Sequence, residues 1–226
     1  MAEPQRSNLY ETIIYEGEAA EARLWQLCRA RSEAFARAAL RGHERRRQLL
    51  PVHPLTYHGQ VVWGETIAAL RQQLLSLQTG WEIDRSLGYE TSHNPQLNVD
   101  IAVVGGDVFT GVHGFRHPRT NRPRGPVSHK RVEHNRAQLA LDISGLRPED
   151  IQDAELAETW FFLMHGRDDV LYSEISSPMD LGLHRRVSQW GERILLPPQP
   201  MVGAVTPIPS DQEPDEGAIV RVGRKA

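Results

Sequence analysis

Thr159–Ser176, TWFFLMHGRDDVLYSEIS, is the stretch on which the fold turns. An apolar, aromatic run, Thr159–Met164, precedes a polar turn, HGRDD, and the chain then resumes in strict alternation. Val170, Tyr172 and Glu174 fall on one face and Leu171, Ser173 and Ile175 on the other, which is the two-residue period of a strand. The pair reads as a β-hairpin.

Working towards the N-terminus, Leu97–Val104 (LNVDIAVV) sets Leu97, Val99, Ile101 and Val103 on one face. Ala102 and Val104 share the other with Asn98 and Asp100, so a strand buried on both sides is expected. Gly105 and Gly106 then turn the chain, and Asp107–Val112 is expected to return as the partner strand. Trp81 and Ile83 also alternate with acidic residues, ahead of a polar turn, ETSHNP. Further back the period lengthens to that of helices. Leu24, Leu27, Cys28, Phe35, Ala38 and Ala39 predict one amphipathic helix from Glu18, ending in Arg45–Arg47 and stopped by Pro51 and Pro54. That basic end suits the negative pole of the helix dipole and reads as a solvated terminus. After a loop, VHPLTYHGQ, residues Trp63, Ile67, Leu70, Leu74 and Leu77 predict a second helix with Gly80 as its cap. LYETIIY (9–15) reads as a further strand, and Arg193–Leu196 as a short element near the C-terminus.

The expected fold is therefore α+β, an N-terminal helical pair packed on a mixed or antiparallel sheet. Residues 1–196 read as a single domain. From Pro197 the chain turns Pro-rich and then acidic (Asp211, Glu213, Asp215, Glu216), so 197–226 is expected to be a disordered tail, with AIVRV as an added strand.

At 226 residues and 39% hydrophobic content the chain can build one core, and its mean hydropathy of −0.48 with 15 prolines indicates much loop. A single cysteine, Cys28, rules out an internal disulfide and fits a reducing compartment. No run approaches the roughly 18 apolar residues of a membrane span. A cytoplasmic protein with no membrane partner is expected. Apart from Lys130 and Lys225 every cationic side chain is Arg, which fits a GC-rich bacterial genome.

Against a net charge of −3, Val108–Arg131 (VFTGVHGFRHPRTNRPRGPVSHKR) is a local anomaly. Arg116, Arg119, Arg122, Arg124, Lys130 and Arg131 occur there with His113, His117 and His129 and without any Asp or Glu. Pro118, Pro123 and Pro126 forbid a helix or an interior strand, so an extended, stiffened loop is expected. Successive guanidinium groups on such a backbone suit phosphates. The loop feeds a helix capped by Ser128, with Val132, Ala137, Leu139 and Ala140 as core positions.

Other chemistry is thinly signalled. The four histidines from His113 to His134 match no zinc spacing. Asp100, Glu174 and Asp142 are carboxylates on or beside expected strands, and a pair of them beside a basic groove would suit a magnesium-dependent phosphodiesterase. The structural alternative for Asp100 is a buried carboxylate held by Arg or backbone amides. No catalytic elbow or phosphate-binding glycine loop occurs.

These observations lead to an expected function: a cytoplasmic bacterial module that holds nucleic acid or another phosphorylated anion through 116–131, an accessory of a mobile-element or defence locus. Arg116, Arg119, Arg122, Arg124, His129, Lys130 and Arg131 are its ligand-binding candidates, with Phe115 available for stacking. Two alternatives stand beside it. One is a magnesium-dependent nuclease using Asp100 with Glu174 or Asp142, and the other is a protein-interaction subunit that docks through the basic loop. The acidic tail has the sign to occupy that loop in cis.

Overall fold

Residues 11–144, 156–182 and 184–201 are described by a computed structural model. A short strand, β1 (Ile13–Tyr15), leads into three helices, α1 (Gly17–Cys28), α2 (Ser32–Arg47) and α3 (Leu55–Ser76). Three strands follow, β2 (Glu82–Asp84), β3 (Thr91–Asn94) and β4 (Val99–Gly105), and then a long loop and α4 (Pro126–Ser144). The chain closes with β5 (Glu158–Arg167), β6 (Val170–Leu181), β7 (Val187–Leu195) and β8 (Gln199–Pro200). The sheet runs β1-β7-β6-β5-β4-β3-β2, with β8 added alongside β6. β1 pairs with β7, and β4 with β5, in parallel; the other pairings are antiparallel. The α+β class with a mixed sheet agrees with the sequence.

The hairpin β5–β6 lies in the middle of the sheet, which explains its apolar composition on both faces. Phe162, Trp160, Ile101, Val103 and Ile175 face α1–α3 and form the larger core with Leu24, Phe35 and Leu70. Phe161, Leu163, Ala102 and Val104 face the other way, towards Val132 of α4, and join Trp190. The result is three layers, with helices α1–α3 on one face and α4 with the long loop on the other.

Local readings differ from the structure where the backbone gave no cue. The single N-terminal helix is two, because Arg29 adopts a left-handed conformation (φ 54°) and breaks it without Gly or Pro. Helix α3 begins at Leu55, inside the stretch read as loop, since Pro54 precedes the first turn and fits a helix start. It ends at Ser76, so Gly80 (φ 85°) lies beyond the cap. TSHN, read as a turn, is strand β3 and pairs with both β2 and β4. The expected return strand 107–112 does not form. Only an isolated bridge, Gly106 to Thr120, continues from β4, whose ladder positions are taken by β3 and β5. The hairpin turn is tighter than HGRDD: Asp168 and Asp169 alone, both at positive φ, connect the strands, and His165 belongs to β5. Residues 202–226, including AIVRV and the acidic run, lie outside the described residues, whereas Gln199 pairs with Leu171 at the sheet.

Helices α2 and α3 cross closely at Gly42. A Cβ there would lie 2.6 Å from the Val62 carbonyl oxygen and would meet the Thr66 hydroxyl. Gly to Ala within an accommodating helix gains roughly 0.5–1 kcal/mol. At this position the backbone clash decides the sign, and Gly42→Ala is expected to lower the midpoint of chemical denaturation; a raised midpoint would show that the helices separate freely.

Candidate anion-binding surface

The long loop between β4 and α4, residues 106–125, carries most of the basic stretch, and the sheet face beneath it determines its shape. Two buried carboxylates on that face anchor the two ends of the segment. Glu174, on β6, is fully buried and is paired with equally buried Arg193 on β7: Nη2 lies 2.6 Å from Oε2 and Nε 3.0 Å from Oε1. Ser176 donates to Oε1 (2.7 Å), and the Gly111 amide donates to Oε2 (2.7 Å). Arg193 also donates to the Phe109 and Val112 carbonyls (3.4 and 3.2 Å). Gly111 must be glycine here: its φ is +67° and a Cβ would stand 2.9 Å from the Ser173 amide nitrogen. Thus one ion pair holds the loop's first limb.

Asp100, on β4, holds the other end. Arg131 of α4 donates to its Oδ2, Thr91 donates to Oδ1 (3.3 Å), and His93 Nδ1 lies 3.0 Å from Oδ1. The same guanidinium reaches Asp84 (3.4 Å) and lies 5.0 Å from the Tyr89 ring centroid. Asp84 is held below the usual carboxylate range; burial opposes this, but hydrogen bonds from Ser86 and the charge of Arg131 outweigh it. Asn135, one turn further along α4, grips the Thr159 backbone through both its amide groups (2.7 and 2.9 Å). Between the anchors the loop is stitched down by the Gly106–Thr120 bridge, by Trp190 Nε1 donating to the Pro118 carbonyl (2.9 Å) and by the Arg124 amide donating to the Arg185 carbonyl (2.8 Å).

The sequence-selected residues divide accordingly. Arg116, Arg119, Arg122 and Lys130 are exposed, and among the described residues no carboxylate pairs with them. Arg124 is half-buried, with its guanidinium 5.4 Å from the Phe161 ring centroid. Arg131 is buried in its ion pair and faces the sheet. His129 is exposed on α4 and lies 3.3 Å from Glu133. Two cations that the sequence reading did not select join the surface. Arg185 and Arg186, in the β6–β7 turn, are exposed, and the Arg124–Arg185 hydrogen bond brings that turn against the loop. On another side, Arg122 approaches Gly59 in the first turns of α3.

Asp100 and Glu174 do not come together. Asp100 is level with Thr159 and Glu174 with Leu163, four residues further along β5, and β5 separates their strands. That register places them roughly 16 Å apart, from about 3.3 Å per residue and about 4.8 Å per strand. Each is matched to its own guanidinium, so the two do not share one coordination sphere. Asp142 falls in the last turns of α4, and its side chain lies outside the described residues. Among the described residues no group of three or more His, Cys, Asp or Glu is disposed to hold a metal ion.

Two histidines near these elements resist protonation. His117, in the loop, is pushed down by burial and by the charge of Arg193. His43, half-buried against the end of β5 beside Gly166, is pushed down to about 4 by burial and by Arg46, Arg47 and His165. No family model, curated protein or solved structure matches the chain.

Depressed folded-state values mean that the unfolded chain binds more protons between the ordinary histidine range and the folded one. Stability is present above about pH 6.5 and should fall as pH drops towards 4, the folded-state value for His43. Replacing His43 with Gln should flatten that part of a melting-temperature profile; an unchanged slope would place the histidine in a solvated setting. For the anchor, Arg193→Met strands a buried carboxylate and should cost about 3–5 kcal/mol, while the double change with Glu174→Leu recovers only part of it, because the Gly111 amide and the Phe109 and Val112 carbonyls still lose their partners. Urea denaturation of the four-member cycle measures this coupling.

Proposed function

We propose that the chain is a binding module for nucleic acid or a related phosphate-rich anion, held on the face formed by the 106–125 loop, the start of α4 and the β6–β7 turn. The observation that carries this reading is a set of exposed cations with no carboxylate partner among the described residues: Arg116, Arg119 and Arg122 on a loop whose backbone is fixed from beneath, Lys130 on α4, and Arg185 and Arg186 in the β6–β7 turn. Cations on a solvated, flexible tail repel one another and spread. Here the anchors fix the backbone that carries the loop's cations, so an anion meets positive charge at low ordering cost. Phosphate is the anion that suits closely spaced guanidinium groups, because each can donate two parallel hydrogen bonds.

The cytoplasmic and bacterial expectations belong to the same reading and rest on composition. Cys28 is buried, with its thiol pushed up to about 12 by that burial, and suits a reducing compartment as a core residue. Among the described residues no helix is long and apolar enough to cross a membrane. The buried carboxylates have structural partners, so the module reading assigns them no part in turnover.

Fluorescence anisotropy of labelled oligonucleotides across a salt series tests the proposal. If the six cations each neutralise one phosphate, log affinity should fall against log salt with a slope of about −4 on single strands, from about −0.7 per contact. Arg119→Ala should reduce that slope by about 0.7 and leave the melting temperature unchanged, since the side chain is exposed. A slope near zero, or no binding at low salt, would overturn the reading and favour a protein partner for this face.

A further inference from the structure

The inference concerns Phe115 and rests on the reading of the basic face given above. We propose that this face takes single-stranded nucleic acid, with Phe115 as a base-stacking residue. At 107% relative exposure Phe115 is the most exposed large apolar side chain among the described residues, and it stands within the basic loop. Its neighbours are tethered. Gly111 is fixed to Glu174, His113 Nδ1 lies 3.2 Å from Glu16, and the Arg116 guanidinium lies 5.7 Å from the Phe109 ring centroid. The phenyl ring stands out into solvent between His113, which approaches Glu16, and Arg116, whose guanidinium lies over the Phe109 ring. An exposed aromatic ring in a loop whose exposed arginines have no carboxylate partner among the described residues offers the two contacts that a single strand requires, a π-face for a base and positive charge for the phosphates.

The alternative of a duplex fits less well. Helix α4 is the element nearest the loop that could enter a groove, but Ser128, Arg131, Val132, His134 and Asn135 are buried against the sheet. Its exposed side carries Glu133 together with His129, Lys130 and Arg136, so insertion would bring a carboxylate towards the phosphates. A stacked base must also be unpaired. Every base presents a π-face, so stacking carries little sequence preference. Single strands of any composition are the expected class.

The test uses the full chain with three probes: labelled oligothymidine, a mixed-sequence duplex of equal length, and inorganic polyphosphate as a competitor. Wild type should bind oligothymidine more tightly than the duplex. Phe115→Ala should weaken oligothymidine binding about tenfold, Phe115→Trp should restore it, and the polyphosphate competition constant should stay within about twofold in all three proteins. The exposed position makes these variants neutral for folding, which melting temperatures verify. Equal oligothymidine affinity in wild type and Phe115→Ala, a parallel loss on polyphosphate, or a preference for the duplex would each overturn the stacking role while leaving the basic face as an anion site. Failure of wild type to bind any probe would instead overturn the reading on which it rests.

Discussion

The ion pair between Glu174 and Arg193 is the constraint on which the exposed face depends. Both side chains are fully buried in the sheet, where an unpaired charge would be severely destabilising. The carboxylate accepts from Arg193, Ser176 and the Gly111 amide, and the guanidinium has donors left for two loop carbonyls. Satisfying the pair therefore requires the loop to be in place. Without the 109–112 segment, Arg193 Nη2 would lose two carbonyl acceptors and Glu174 Oε2 one amide donor. The loop's first limb is in this sense tied into the sheet and is not merely laid over it.

The Asp100–Arg131 pair completes the arrangement at the other end, and it shows how one sequence block serves two purposes. Among the cations of 116–131, Arg131 neutralises a buried carboxylate, Arg124 covers Phe161, Arg116 lies over the Phe109 ring, and Arg119, Arg122 and Lys130 are exposed. The inward members hold the backbone, and the outward members carry charge. Like charges along one segment repel one another over distances up to the Debye length, about 8 Å at physiological salt. Two buried ion pairs, the Gly106–Thr120 bridge and the Trp190–Pro118 hydrogen bond oppose it through the backbone, where they do not occupy the outward side chains.

What could be read in the sequence follows the range of the interactions involved. The β5–β6 hairpin and β4 were legible because their alternation and continuous apolar runs are local consequences of burial on both faces. The break at Arg29 was not, since a left-handed arginine leaves no compositional mark. Strand β3 was hidden for a related reason: Thr91, Ser92 and Asn94 are buried polar residues whose burial becomes intelligible only with β2, β4 and the Arg131 network beside them. At the basic segment the charge block itself was legible, and so was its loop character, fixed by three prolines. The addition of Arg185 and Arg186 was not, because it depends on a hydrogen bond between segments that only the sheet order brings together.

Asp100 and Glu174 are instructive because the chemistry that drew attention to them was sound and their setting was not local. A carboxylate in an apolar strand must find a cation, and a sequence cannot tell a bound metal from a guanidinium 31 or 19 residues away. The register decides between a shared site and separate ones. Four residues of offset along β5 place the two groups at opposite ends of the basic segment, where each has its own arginine. An acidic inner face and a basic outer face are then two sides of one construction. The buried carboxylates position the loop, and the charge that the loop presents to solvent is what remains after they have been neutralised.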